Sequence, residues 1–291
     1  MPAASDASAA CLQPRRTVVA SPVLRQRLLS AALLLPPLLA IVWLGGPWYA
    51  ALVTAAALIG VDELYRLARA AGRPTLRWPG LAFAALLLWL PKLAPNQPWG
   101  LLYAIFAFLG LPLLLVRPAP SVSPGQQGRL WTVGGALYLG WPLSAALLLR
   151  ELPDGRSWTL FLLLVTFSVD TGAYAIGRAF GRRRLAPHIS PGKTWEGAIG
   201  GALAGVAASA LGVMLLALPV VRVEAAVWGL ALAIAAQAGD LYESALKRRL
   251  GTKEASGLIP GHGGLLDRLD SVLATSLMLY WLVLWRGAPA A

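Results

Sequence analysis

From Arg25 onward the chain alternates between long apolar runs and short polar connections. The runs lie at about 28–44, 48–65, 78–91, 99–116, 130–149, 157–177, 197–219, 225–246 and 270–285. A bilayer-spanning helix needs about 20 mostly apolar residues, so the pattern predicts nine membrane-spanning helices, the third of them short. Pro36 and Pro37 in the first run and Pro112 in the fourth are expected to kink their helices, where neighbouring helices can satisfy the freed carbonyls. Residues 1–24 are rich in Ala, Ser, Pro and Arg and contain no apolar run. They read as a disordered cytoplasmic tail rather than a cleavable signal.

Composition agrees with this pattern. Of 291 residues, 57% are hydrophobic and 13% charged, and the mean hydropathy is +0.65. An ordinary soluble domain carries roughly 25% charged residues, so a soluble enzyme and a disordered chain are both excluded. The expected fold is all-α: one polytopic membrane domain over 25–291, with a polar, catalytic half at about 157–285. Cys11 is alone, so no internal disulfide framework or cysteine-built metal site exists.

The net charge of +12 reads first as orientation, because cytoplasmic loops accumulate Lys and Arg; no nucleic-acid partner is expected. Twenty basic residues fall on one side of a nine-span alternation, and Lys92, Arg150, Arg156, Arg222 and Arg286 on the other. The N-terminus is therefore expected in the cytoplasm of a multi-pass protein of the inner membrane. The twelve Trp, seven Tyr and six Phe suffice for interfacial belts.

Polar chemistry concentrates in the second half. Asp62 and Glu63 precede a basic loop that can pair with them, so they read as structural. Asp170 and Asp240 sit inside apolar runs, where an ionisable group is costly unless it is paired or faces water. Asp240, Ser244 and Lys247 follow at i, i+4 and i+7, on one helical face. Beyond them Pro260, Gly261, Gly263 and Gly264 break the chain around His262, and Asp267 and Asp270 open the last run one turn apart. A glycine loop leaves backbone N–H groups open to an anion, and paired carboxylates suit a hard cation such as Mg²⁺. Phosphate plus magnesium is the joint reading. Ser190-Pro191-Gly192-Lys193-Thr194 has the end of a P-loop, but Pro187 stands where that pattern requires Gly, and no strand is predicted before it. His188 and His262 are too isolated for a zinc site.

The run from Ser244 to Asp270 resembles the signature of the phosphatidate cytidylyltransferases (CDP-diglyceride synthases). It has Ser244, Lys247-Arg248, Lys253 with an acid after it, Pro260-x-His262-Gly263-Gly264 and Asp267-Arg268-x-Asp270. The upstream Asp170-Thr-Gly-Ala-Tyr and Ser190-Pro-x-Lys193-Thr-x-Glu196-Gly elements are also similar to that family. Glu254 stands where the family usually has Asp, and Gly192 where a second Lys is common. The resemblance implies transfer of CMP from CTP to phosphatidic acid, with the metal on Asp240 and Asp267 and with Lys247 and Arg248 in the catalytic set. Lys193, Ser244, Lys253, His262, Gly263, Gly264 and Arg268 then bind substrate. Asp170 and Asp270 are further candidates for metal, Asp170 alternatively steering Arg178, and one or two divalent ions are expected. The resemblance also suggests a membrane homodimer. Two rivals stay open: a secondary carrier, for which no paired inverted halves are evident, and a CTP-dependent lipid or polyprenol kinase.

Overall fold

The computed structural model describes residues 22–95, 99, 102, 105, 123–258 and 263–287. Among them are eight helices: α1 (Pro22–Leu44), α2 (Gly46–Ala70), α3 (Arg77–Leu93), α4 (Pro124–Glu151), α5 (Gly155–Phe180), α6 (Trp195–Leu215), α7 (Arg222–Arg249) and α8 (Leu266–Trp285). Each coincides with one of the predicted apolar runs. The short third run is the 17-residue α3, and α1 passes through Pro36 and Pro37 as one helix. Most of the fourth run, with Pro112, lies outside the described residues, as do the tail to residue 21 and the segment 259–262 with His262. The sixth connection departs from expectation. It forms an antiparallel hairpin of β1 (Arg184–Ala186) and β2 (Ser190–Thr194). A short hairpin of this kind leaves no sign in an apolar-run pattern.

Four helices, α4 to α7, are long and apolar enough to cross a membrane, and the chain is an integral membrane protein. Helix α4 is the hub: its face carrying Trp131, Leu139, Leu143, Leu147 and Leu149 is buried among the other helices. Helices α6 and α7 instead expose Leu203, Leu211, Leu215, Val223, Val227 and Ile234. In a membrane this is what lipid-facing surfaces look like, because lipid tails are as apolar as leucine.

Small residues decide which helices come close. On α6, Gly197, Gly201 and Gly205 recur every fourth position. A Cβ on them would meet the Ala173 carbonyl oxygen at 2.8 Å, the Val169 carbonyl oxygen at 3.0 Å and Val169 Cγ2 at 2.8 Å respectively. That stripe lets α5 and α6 pack backbone to backbone and holds Asp170 beside the bundle's polar end. Thr194 caps α6, its Oγ1 accepting from the Gly197 N–H at 3.1 Å. Gly239 does the same for α7 and α8, since a Cβ there would lie 2.5 Å from the Asp270 carbonyl oxygen and 2.9 Å from Ala274 Cβ.

Charged pairs close the two ends. At one end Asp62 accepts from Arg66 Nε at 2.8 Å and from Arg77 Nε at 2.6 Å. At the other, Lys92 at the end of α3 pairs with Glu151 at the end of α4, and Arg286 with Glu224 at 3.1 Å. The beginnings of α3 and α4 also meet, where the Leu76 N–H donates to Thr132 Oγ1 at 2.9 Å. Helices α3 and α4 therefore run in the same direction.

Gly239→Ala is expected to push α7 from α8 at a contact the backbone cannot yield, lowering stability by about 1–3 kcal/mol and cutting turnover with it. Thermal unfolding in detergent checks the first effect; a variant as stable as the parent chain would refute the close-packing argument.

Candidate active site

Helix α7 presents Asp240, Glu243, Ser244 and Lys247 along one face. Its partner α8 brings Asp267, Arg268 and Asp270 in its first turns, and the glycine contact at Gly239 sets the two helices together at that level. Helix α5 adds Asp170, whose Oδ1 accepts from Ser271 Oγ at 3.3 Å. From the hairpin, Lys193 reaches in, with Nζ 2.5 Å from Asp240 Oδ2. Ser244 Oγ donates to Asp240 Oδ1 at 3.4 Å. Asp170, Asp240 and Asp270 lie within electrostatic reach of one another, and Arg268 within reach of Asp170 and Asp270. Three chain-distant carboxylates thus gather against two cationic side chains.

Asp267 belongs to an adjoining arrangement. Its Oδ1 accepts from Lys247 Nζ at 2.5 Å, and Lys247 is also 2.7 Å from Glu243 Oε2. Its Oδ2 accepts from the backbone N–H groups of Ala255 at 3.0 Å and Gly264 at 2.8 Å. The expectation that the glycine loop keeps its N–H groups open to an anion therefore needs correction at Gly264, whose N–H is spent on Asp267. Gly263 has a positive φ of 81°, and a Cβ there would stand 2.7 Å from Asp267 Oδ2. Glycine is what allows the backbone to fold down onto the carboxylate.

The remaining predicted residues divide. Arg248 donates from Nε to the Ile189 carbonyl and from Nη1 to the Thr252 carbonyl, both at 3.2 Å, tying α7 to the hairpin turn. Lys253 and Arg268 are exposed. Sequence reasoning passed over Glu243 and misjudged the partner of Glu63. Glu243, 1% exposed, stands four residues before Lys247, a spacing visible in the sequence. Glu63, 2% exposed, was expected to pair with the basic loop, and only its neighbour Asp62 does so. Glu63 accepts from Ser256 Oγ at 2.5 Å and from the N–H groups of Leu265 at 3.2 Å and Leu266 at 2.8 Å. A carboxylate suits the N-terminus of α8, where backbone donors lack helical partners. No local signal announces this, because the partners lie about two hundred residues away.

Among the described residues, no three His, Cys, Asp or Glu side chains close into a ready metal cluster. The donor chemistry nonetheless fits a hard divalent cation: the set is all carboxylate, and Asp240 and Asp267 each already bear an ammonium at 2.5 Å.

Residues 25–285 match the profile of the cytidylyltransferase family. The chain is 37% identical to the phosphatidate cytidylyltransferase of Brucella suis biovar 1 over 266 residues, covering 88% of this chain and 92% of that one. It is 35% identical to that of Pseudomonas aeruginosa over 277 residues, covering 92% and 100%. For that of Bacillus subtilis the identity is 31% over 268 residues, covering 89% and 97%.

Glu63→Gln should weaken the three bonds that hold Ser256 and the start of α8, costing about 1.5–3 kcal/mol for a hydrogen-bonded charge. Limited proteolysis reads this as faster cleavage within 250–265; an unchanged cleavage rate there would contradict the anchoring role.

Proposed function

The chain belongs to the cytidylyltransferase family, and from that premise we propose that it works as a CTP:phosphatidate cytidylyltransferase of phospholipid biosynthesis. A phosphate oxygen of phosphatidic acid attacks the α-phosphorus of CTP, and the bond to the bridging oxygen of the β-phosphate breaks. Pyrophosphate leaves and CDP-diacylglycerol forms. The observation that carries this reading is the gathering of carboxylates and cations from α5, β2, α7 and α8 at one end of an apolar bundle. In this reading a lipid enters from the side and a soluble nucleotide from the end.

Both reactants are polyanions, so their approach has to be offset by fixed positive charge and a metal. Asp240, with Asp170 and Asp270 within electrostatic reach, and Asp267 from the adjoining arrangement are the residues that would hold one or two divalent ions, Mg²⁺ first. Once bound, the cation neutralises phosphate oxygens and the leaving pyrophosphate. Lys193, Lys247, Arg248, Lys253 and Arg268 bind phosphates, the guanidinium groups in bidentate fashion. Lys253 and Arg268 face outward to meet them, whereas Lys247 and Arg248 exchange carboxylate and carbonyl partners for phosphate. Ser244, His262 and Gly263 complete the substrate contacts. No protein base is required, since a phosphate monoester with a second pKa near about 6 is largely a dianion at neutral pH.

The site faces the cytoplasm in a nine-span protein of the inner membrane, with the N-terminus inside. Eight helices on eight of the nine predicted runs support this. So does the apolar composition of residues 99–116, the predicted run between the parallel α3 and α4. The homodimer rests on the family resemblance alone.

Purified protein given CTP, Mg²⁺ and phosphatidic acid should release pyrophosphate and form CDP-lipid. Release of CDP would mean a kinase, and no turnover would favour a carrier. Asp240→Asn and Asp267→Asn are each expected to lower turnover by at least about a thousandfold, on the scale of removing a principal electrostatic element, while membrane insertion persists. Near-normal activity in either would remove that aspartate from the metal site.

A further inference from the structure

Lys193 is held in an unusual way. Its Nζ is buried and stands 2.5 Å from Asp240 Oδ2, yet among the described residues it makes no hydrogen bond of acceptable geometry. An ammonium has three donors, and a buried donor left unspent is costly. The contrast with Lys247 is direct, because that ammonium donates a hydrogen bond to Asp267 and is ion-paired with Glu243 as well. Lys193 therefore supplies charge to Asp240 without being satisfied by it.

Its surroundings leave room for another arrangement. Asp240 is within reach of both Asp170 and Asp270; Lys193 serves Asp240 and Asp170, and Arg268 serves Asp170 and Asp270. By formal charge the cluster sets three carboxylates against two cations. The Lys193 side chain is 23% exposed, and it leaves the hairpin next to Gly192, around which there is open space. The lysine is on a mobile-length stem, and its ammonium is placed where a carboxylate oxygen would otherwise meet a cation.

We infer that Lys193 is an exchangeable counter-cation. It covers Asp240 until a divalent ion takes that oxygen, and the released ammonium then turns to the phosphates of the nucleotide. Lys193 thereby couples metal binding to nucleotide binding: it competes with the first and assists the second. This rests on reading Asp240 as a cation-binding residue and goes beyond it, because it assigns opposite signs to the effect of Lys193 on the two ligands. A lysine that only braced the hairpin, or only bound phosphate, would not oppose the metal.

The test uses the full chain purified in detergent, with Mn²⁺ as a paramagnetic probe and no nucleotide. Lys193→Met is expected to bind Mn²⁺ about tenfold more tightly than the parent chain, within the usual range of coupling between sites. In saturating Mn²⁺ the same variant should bind a non-hydrolysable CTP analogue about tenfold more weakly. Lys193→Gln, which keeps a polar group, should move both affinities in the same directions and decides the matter if Lys193→Met does not fold. Mn²⁺ affinity that is equal or weaker in the folded variants overturns the exchange. Asp240→Asn separates the two layers: it should lose Mn²⁺ binding, and if it binds Mn²⁺ as the parent does, the cation reading of Asp240 itself is wrong.

Discussion

A carboxylate carried on a membrane helix has to be neutralised by something the protein brings to it, and most of the polar architecture follows from that requirement. Asp240 is met by Lys193 from the hairpin, Asp267 by Lys247 from α7, and Asp62 by Arg66 and Arg77. Three of these pairings join different elements. Lys193 fastens the hairpin to α7, Lys247 fastens α7 to the start of α8, and Arg77 fastens the start of α3 to α2. Cost in the membrane interior makes these contacts obligatory.

Glycine supplies the other half of the construction. With side chains at Gly201, Gly205 and Gly239, α6 would stand off from α5 and α7 from α8. Asp170, Asp240 and Asp270 would then be separate groups on separate helices. Close backbone approach converts three isolated acids into one electrostatic neighbourhood, and the neighbourhood has a chemical character that none of the members has singly. The loop at Gly263 and Gly264 extends the same principle to the backbone, which folds onto Asp267 so that the Gly264 N–H joins that of Ala255 on its carboxylate.

The arrangement also explains how one enzyme can serve two phases. The exposed faces of α6 and α7 are apolar, suiting acyl chains, while the cations and carboxylates cluster at the end that the loops close. Phosphatidic acid and CTP need to meet only through their phosphates, and phosphate chemistry asks for positioned charge more than for a shaped pocket.

What the sequence by itself determined is whatever depends on neighbours along the chain. Apolar runs of spanning length became helices, because in lipid a backbone must satisfy its own hydrogen bonds. The Asp240–Ser244–Lys247 face and the Asp267–Asp270 turn followed from helical spacing, and the signature carried the family. The tertiary structure alone decided the partners. Nothing local could show that Glu63 holds the start of α8, or that Lys193 rather than a nearer cation meets Asp240. Those contacts depend on how helices distant in sequence pack, and packing is settled by where a missing Cβ lets two backbones touch.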